Sequence, residues 1–116
     1  MGRLTTHVLD IYHGRPAAQM QIELWRLTDS RQQIAVVKTN DDGRCDAPLL
    51  AGEALMAGEY ELVFHVRAYF QRFAGREDAS PFLDRVPVRF TIFDAAQHYH
   101  VPLLVSPWAY QTYRGS

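Results

Sequence analysis

The chain has 116 residues, 12 basic and 13 acidic side chains, and a formal charge of −1. Hydrophobic residues are 47% and charged residues 22% of the sequence, as in soluble globular chains, which excludes a disordered tail. The even charge balance excludes the strongly basic footprint of a nucleic-acid-binding surface, and the length fits a single domain, 1–116. Two Trp, six Tyr and six Phe supply apolar area for one core, and a chain this short leaves much surface relative to volume, so self-association is expected.

The periodicity is mostly two. Residues 4–12 form the first extended run. His7 shares one face of it with Thr5 and Leu9, opposite Leu4, Thr6 and Val8. Gly2 and Thr6 match a short, common myristoylation pattern that carries little weight. His13-Gly14-Arg15-Pro16 marks a turn. Met20, Ile22 and Leu24 then alternate with Gln19, Gln21 and Glu23, and 33–39 is a further extended run. Asn40-Asp41-Asp42-Gly43 is a turn built of residues that tolerate positive φ, and Arg44 follows it. Ala57-Gly58-Glu59 precedes an alternating run led by Tyr60, Leu62, Phe64 and Val66.

Residues 67–75 break the pattern. Phe70 and Phe73 at i, i+3 and a stop at Gly75 predict one short helix. Val86, Val88, Phe90 and Ile92 give another strand, and 98–106 and 108–115, parted by Ser106-Pro107, give the last two. Seven or eight short strands with turn signals and one helix read as an antiparallel β-sandwich. No repeat, linker or low-complexity tract is present.

Cys45 is the one cysteine, so no intrachain disulfide forms, and a reducing or indifferent compartment is favoured. The N-terminal residues lack the apolar run of a signal peptide, and no stretch reaches the ~18 apolar residues of a membrane span, so a cytoplasmic location without membrane attachment is expected.

His98 and His100, two apart on a strand, face one side. That spacing admits a pair of metal ligands, an acid–base pair or a plain surface role, and no third ligand sits at motif spacing nearby. His7 and a histidine from another strand can supply a base and an acid near neutrality. Arg44 offers a planar guanidinium for a carbonyl oxygen or an anionic ring, or a solvated turn residue. The last residues, Tyr113-Arg114-Gly115-Ser116, follow a strand-like run without a polar tail, the mark of a packed or functional end. No nucleophile elbow, phosphate loop or dinucleotide fingerprint occurs.

Three segments taken together resemble the transthyretin-like family: Leu4-Thr5-Thr6-His7-Val8-Leu9-Asp10 with Gly14-Arg15-Pro16-Ala17; Thr39-Asn40-Asp41-Asp42-Gly43-Arg44; and His98-Tyr99-His100-Val101-Pro102-Leu103-Leu104 with Ser106-Pro107 and the closing Tyr113-Arg114-Gly115-Ser116. The resemblance covers nearly the whole chain. Its closing four residues are similar to the hydroxyisourate hydrolase branch, as distinct from the hormone-carrying branch. It implies an all-β, transthyretin-like sandwich of two four-stranded sheets with one short helix. It implies a homotetramer, a dimer of dimers, with active sites in clefts between the dimers.

The implied activity is hydrolysis of 5-hydroxyisourate to 2-oxo-4-hydroxy-4-carboxy-5-ureidoimidazoline in urate degradation. The implied catalytic residues are His7, Arg44, His100 and Ser116. Tyr113, Arg114 and His98 would shape the substrate pocket. No metal or organic cofactor is needed if Arg44 and hydrogen bonds activate the amide. A carrier of small aromatic molecules on the same fold, and a metal-binding module using His98 and His100, are the competing readings.

Overall fold

The computed structural model describes residues 1–72 and 82–116. Two sheets pack face to face. The first contains β1 (Arg3–Asp10), β2 (Arg15–Pro16), β5 (Leu50–Ala51), β8 (Tyr99–Val105) and β9 (Tyr110–Thr112). The second runs β4 (Arg31–Lys38), β3 (Gln21–Leu27), β6 (Gly58–His65), β7 (Arg85–Ile92). The sandwich is the expected one, with a fifth short strand in the first sheet and a 3₁₀ turn at Gly52–Ala54. One pairing departs from an all-antiparallel sheet: β1 and β8 run parallel, with Thr5 opposite His100 and His7 opposite Pro102.

Alternation decides what is buried. Leu4, Val8, Leu103 and Val105 from the first sheet meet Ile22, Leu24, Leu62, Phe64 and Val86 from the second, all essentially inaccessible. Burying each such side chain contributes about 1.5–3 kcal/mol. The opposite faces of β1 and β8 carry Thr5, His7 and His100, which are only partly covered.

The helix α1 (Val66–Gln71) starts one residue before the expected 67–75, and Phe73 and Gly75 lie outside the described residues. It seals the sandwich with Val66, Tyr69 and Phe70. Its Tyr69 hydroxyl donates to Asp10 Oδ2 at 2.7 Å. Burial, then the Asp10 carboxylate, push the Tyr69 phenol well above its ordinary pKa. Asp10 also accepts from the backbone N–H groups of Tyr12 (3.0 Å) and His13 (2.8 Å), which ends β1 and starts the turn into β2.

Candidate active site

One edge of β1 is covered in three pieces. β2 pairs with Leu9 and Asp10, β5 pairs with Arg3 and Leu4, and the turn 40–44 fills the gap between them. In that turn Asn40 Oδ1 accepts from the N–H groups of Asp42 (2.9 Å) and Arg44 (3.1 Å), the local closure expected of an Asn at a turn start. Gly43 has φ 76° and offers its carbonyl to Val8 N at 2.8 Å. A Cβ there would lie 2.4 Å from the Val8 carbonyl oxygen, so backbone meets backbone only because the residue is glycine.

This docking fixes His7. Its Nε2 lies 2.9 Å from the Asp42 carbonyl oxygen, which can only accept. Nε2 therefore carries the proton, and Nδ1 of a neutral His7 is the free acceptor. The same turn sets Arg44 beside His7 in a β-bridge, and Arg44 Nε donates to Asp42 Oδ2 at 3.1 Å.

The residues after β9 meet β8 by a second bridge. Gly115 N donates to the His100 carbonyl at 2.8 Å, which leads Ser116 onto the same outer face. A Cβ on Gly115 would come within 2.6 Å of His100 Cδ2, so the backbone lies directly against the imidazole.

The result is a cleft of about 610 Å³ lined by Arg3, Thr5, Thr6, Arg44, Cys45, Asp46, Ala47, Pro48, His98, His100 and Ser116. That volume suits a small-molecule ligand. Burial first, then the positive charges of Arg44 and His7, hold the His100 pKa below its ordinary value, so its imidazole is neutral at neutral pH. Burial and Asp46 push the Cys45 thiol up, which keeps it protonated and a poor nucleophile.

Of the residues expected from sequence, Arg44, His98, His100 and Ser116 line one cleft, and His7 adjoins it through the bridge to Arg44. Tyr113 and Arg114 instead line a second cavity of about 540 Å³, with Phe90, Phe93, Tyr99 and Val101. Arg114 donates to the His98 carbonyl at 2.9 Å and to Gln97 Oε1 at 3.0 Å, and its guanidinium lies 4.3 Å from the Tyr99 ring centre. It braces the segment that enters β8.

Thr5, Asn40 and Asp42 were missed as supports of the site. The faint signal for Thr5 was its place on the His7 face of β1; for the other two it was the turn motif itself. Among the described residues no three His, Cys, Asp or Glu side chains converge as a metal-ligand group, and no helix is long and apolar enough to cross a membrane.

The sequence pattern of the HIUase/Transthyretin family matches residues 4–115. A 5-hydroxyisourate hydrolase of Ralstonia nicotianae is 58% identical, with all of both chains covered. The structure of Klebsiella pneumoniae 5-hydroxyisourate hydrolase superposes with a TM-score of 0.83 at 38% identity, covering 100% of each chain. Sea bream transthyretin, in complex with thyroxine, superposes with a TM-score of 0.87 at 27% identity, covering 97% of this chain and 94% of that one.

Proposed function

The chain belongs to the HIUase/Transthyretin family, and from that premise we propose that it hydrolyses 5-hydroxyisourate to 2-oxo-4-hydroxy-4-carboxy-5-ureidoimidazoline, a step of urate breakdown. The observation that carries this reading is a neutral His100 and Arg44 lining one small cleft, with His7 adjoining it through the bridge to Arg44. Opening a cyclic amide requires that water lose a proton as it attacks a carbonyl, and that the leaving nitrogen gain one. The neutral imidazole of His100 and the second imidazole of His7 are residue types suited to those transfers.

Arg44 supplies positive charge for the oxygen of the attacked carbonyl, where it is stronger in the transition state than in the ground state. The Ser116 hydroxyl orients the water or the substrate. His98, at the exposed rim of the same cleft, contacts the substrate. Tyr113 and Arg114 act on the pocket indirectly, through the Arg114 bonds to Gln97 and the His98 carbonyl.

The reading extends to assembly as a homotetramer, a dimer of dimers, with the cleft between dimers. Ile11, Tyr12, Trp108 and Tyr110, at the ends of β1 and β9, are exposed, and Tyr12 and Trp108 meet edge to face at 5.4 Å. An apolar group of this kind favours burial against another copy. A cytoplasmic setting fits the free thiol of Cys45. A carrier function is less suited to a cleft lined by Arg3, Arg44 and two imidazoles than to an apolar channel.

The test is direct. Purified protein is mixed with freshly generated 5-hydroxyisourate, and the absorbance decay is compared with the spontaneous rate. Acceleration that scales with protein concentration is expected; decay at the spontaneous rate would end the proposal. Sedimentation of the same sample should give the mass of four copies.

A further inference from the structure

The parallel pairing of β1 and β8 sets Thr5 directly opposite His100, both on the outer face. Thr5 Oγ1 lies 2.9 Å from His100 Nδ1. On another edge of the ring, the Gly115 backbone covers Cδ2 so closely that a Cβ there would sit at 2.6 Å. The imidazole is therefore gripped at Nδ1 and at Cδ2, and Nε2 is the nitrogen left for the cleft it shares with Arg44.

We propose that Thr5 is a positioning residue for the reaction: its hydroxyl oxygen accepts the Nδ1–H of His100, fixes that tautomer, and keeps Nε2 as a bare lone pair turned to the cleft. The inference deepens the hydrolase reading and rests on it for its catalytic meaning. A hydroxyl can donate or accept, so the choice follows from the surrounding charges. Arg44 and His7 act on His100 as positive charges, and Arg3 lines the same cleft; the nearby carboxylates are Asp46 in the lining and Asp42, which is paired with Arg44. A neutral imidazole is a dipole whose negative end is the unprotonated nitrogen. Turning that end toward the cations, and the N–H end toward the Thr5 oxygen, is the favourable orientation. The other tautomer would turn an N–H toward the cleft that Arg44 also lines.

The arrangement is also ready for proton uptake. When Nε2 takes a proton from water, Nδ1–H keeps the same partner, so no ring flip or hydroxyl rotation intervenes. A hydrogen-bond partner on the far nitrogen sets which histidine nitrogen is reactive; for metal-ligating histidines loss of such a partner lowers activity roughly ten- to hundredfold, and an effect of the same order is expected here.

The experiment combines nitrogen spectroscopy with kinetics. In a long-range ¹H–¹⁵N spectrum of the wild-type protein, with His100 assigned by the loss of its signals in His100→Gln, Nδ1 should be the protonated nitrogen. Finding the proton on Nε2 overturns the proposal. Thr5→Val keeps the shape of the side chain and removes the hydroxyl. It should blend the two tautomers, lower kcat roughly ten- to hundredfold, and change KM by less than about threefold. Thr5→Ser should recover most of the rate and the wild-type nitrogen shifts.

Wild-type kcat and unchanged nitrogen shifts in Thr5→Val would also overturn it. If the valine variant does not fold, the wild-type spectrum and the serine variant still decide. If wild-type protein shows the Nδ1 proton but does not open 5-hydroxyisourate, the hydrolase reading fails while the grip of Thr5 on His100 stands.

Discussion

The outer faces of the two sheets both carry histidine, arginine and buried polar atoms, and they use them in opposite ways. On the second sheet the charges close on one another. Glu23 bonds His65 through one oxygen and Trp25 Nε1 at 2.8 Å through the other. Glu61 accepts from Arg31 at 2.7 Å and from Arg89 at 2.9 Å, and Arg31 lies 3.7 Å over the Trp25 ring. Both carboxylates are held below their ordinary pKa: burial alone would raise them, and hydrogen bonds with His65 and Trp25, or with Arg31 and Arg89, outweigh it.

On the first sheet, His100 faces a neutral hydroxyl and two positive groups, and His7 faces a carbonyl. Among the described residues no carboxylate hydrogen-bonds either imidazole. A charge set that satisfies itself is scaffold; one left short of anions is open to an electron-rich substrate. Histidine and arginine occur on both faces, so what separates them is the partner each one meets, a carboxylate on the second sheet and a hydroxyl or carbonyl on the first.

The largest expected effect follows from that contrast. His100→Ala or His7→Ala should lower turnover of 5-hydroxyisourate by roughly two to four orders of magnitude, the range for loss of a positioned acid or base. Both side chains are on the partly covered outer face, so the oligomer and its thermal midpoint should change little. His65→Ala, on the other sheet, should do the reverse, with turnover kept and stability reduced. Activity loss in His65→Ala equal to that in His100→Ala would erase the distinction.

Next in size is Arg44. Arg44→Met keeps length and removes charge, and the rate should fall roughly a hundred- to thousandfold in steady-state assays. Because one of the positive charges depressing the His100 pKa is then gone, the acid limb of the pH–rate profile should move up toward the ordinary histidine value of 6.5. In the wild-type protein that limb lies below 6.5, since a depressed pKa keeps His100 neutral to lower pH. A limb that stays in place in Arg44→Met would separate the arginine from His100.

These contrasts also show what was legible in the sequence. Alternation placed His7 with Thr5 and separated it from Leu4, Thr6 and Val8, and the structure has the same faces. Alternation is identical in parallel and antiparallel strands whose one face is buried, so the parallel β1–β8 pair could not be read, nor could a contact between residues 95 apart in sequence.

β2 and β5 are two residues each, too short for any period. The run expected over 108–115 shrinks to Tyr110–Thr112. At its start, Ser106 Oγ accepts from the N–H groups of Trp108 and Ala109 and extends the turn. At its end, Gly115 leaves the strand to bridge His100. Grouping His7, Arg44, His100 and Ser116 rested on the family resemblance. Spacing alone left each one with an ordinary structural reading.

The smallest expected effect tests the second sheet. Glu61→Gln keeps the shape and removes the charge that holds Arg31 and Arg89. Those side chains are 46% and 71% exposed, so water screens much of the interaction, while the Glu61 side chain is only 6% exposed. The loss should be about 1 kcal/mol in denaturant unfolding, with turnover unchanged. The pH dependence has a defined sign. A carboxyl whose folded pKa is depressed contributes stability that is present above the unfolded value, 4.5 here, and is lost as pH falls through the lower folded value. The stability difference between wild type and Glu61→Gln should therefore be constant near neutrality and shrink below pH 4.5. A difference that persists unchanged in acid would mean that Glu61 acts by packing rather than by charge, and the self-satisfied network would lose its electrostatic basis.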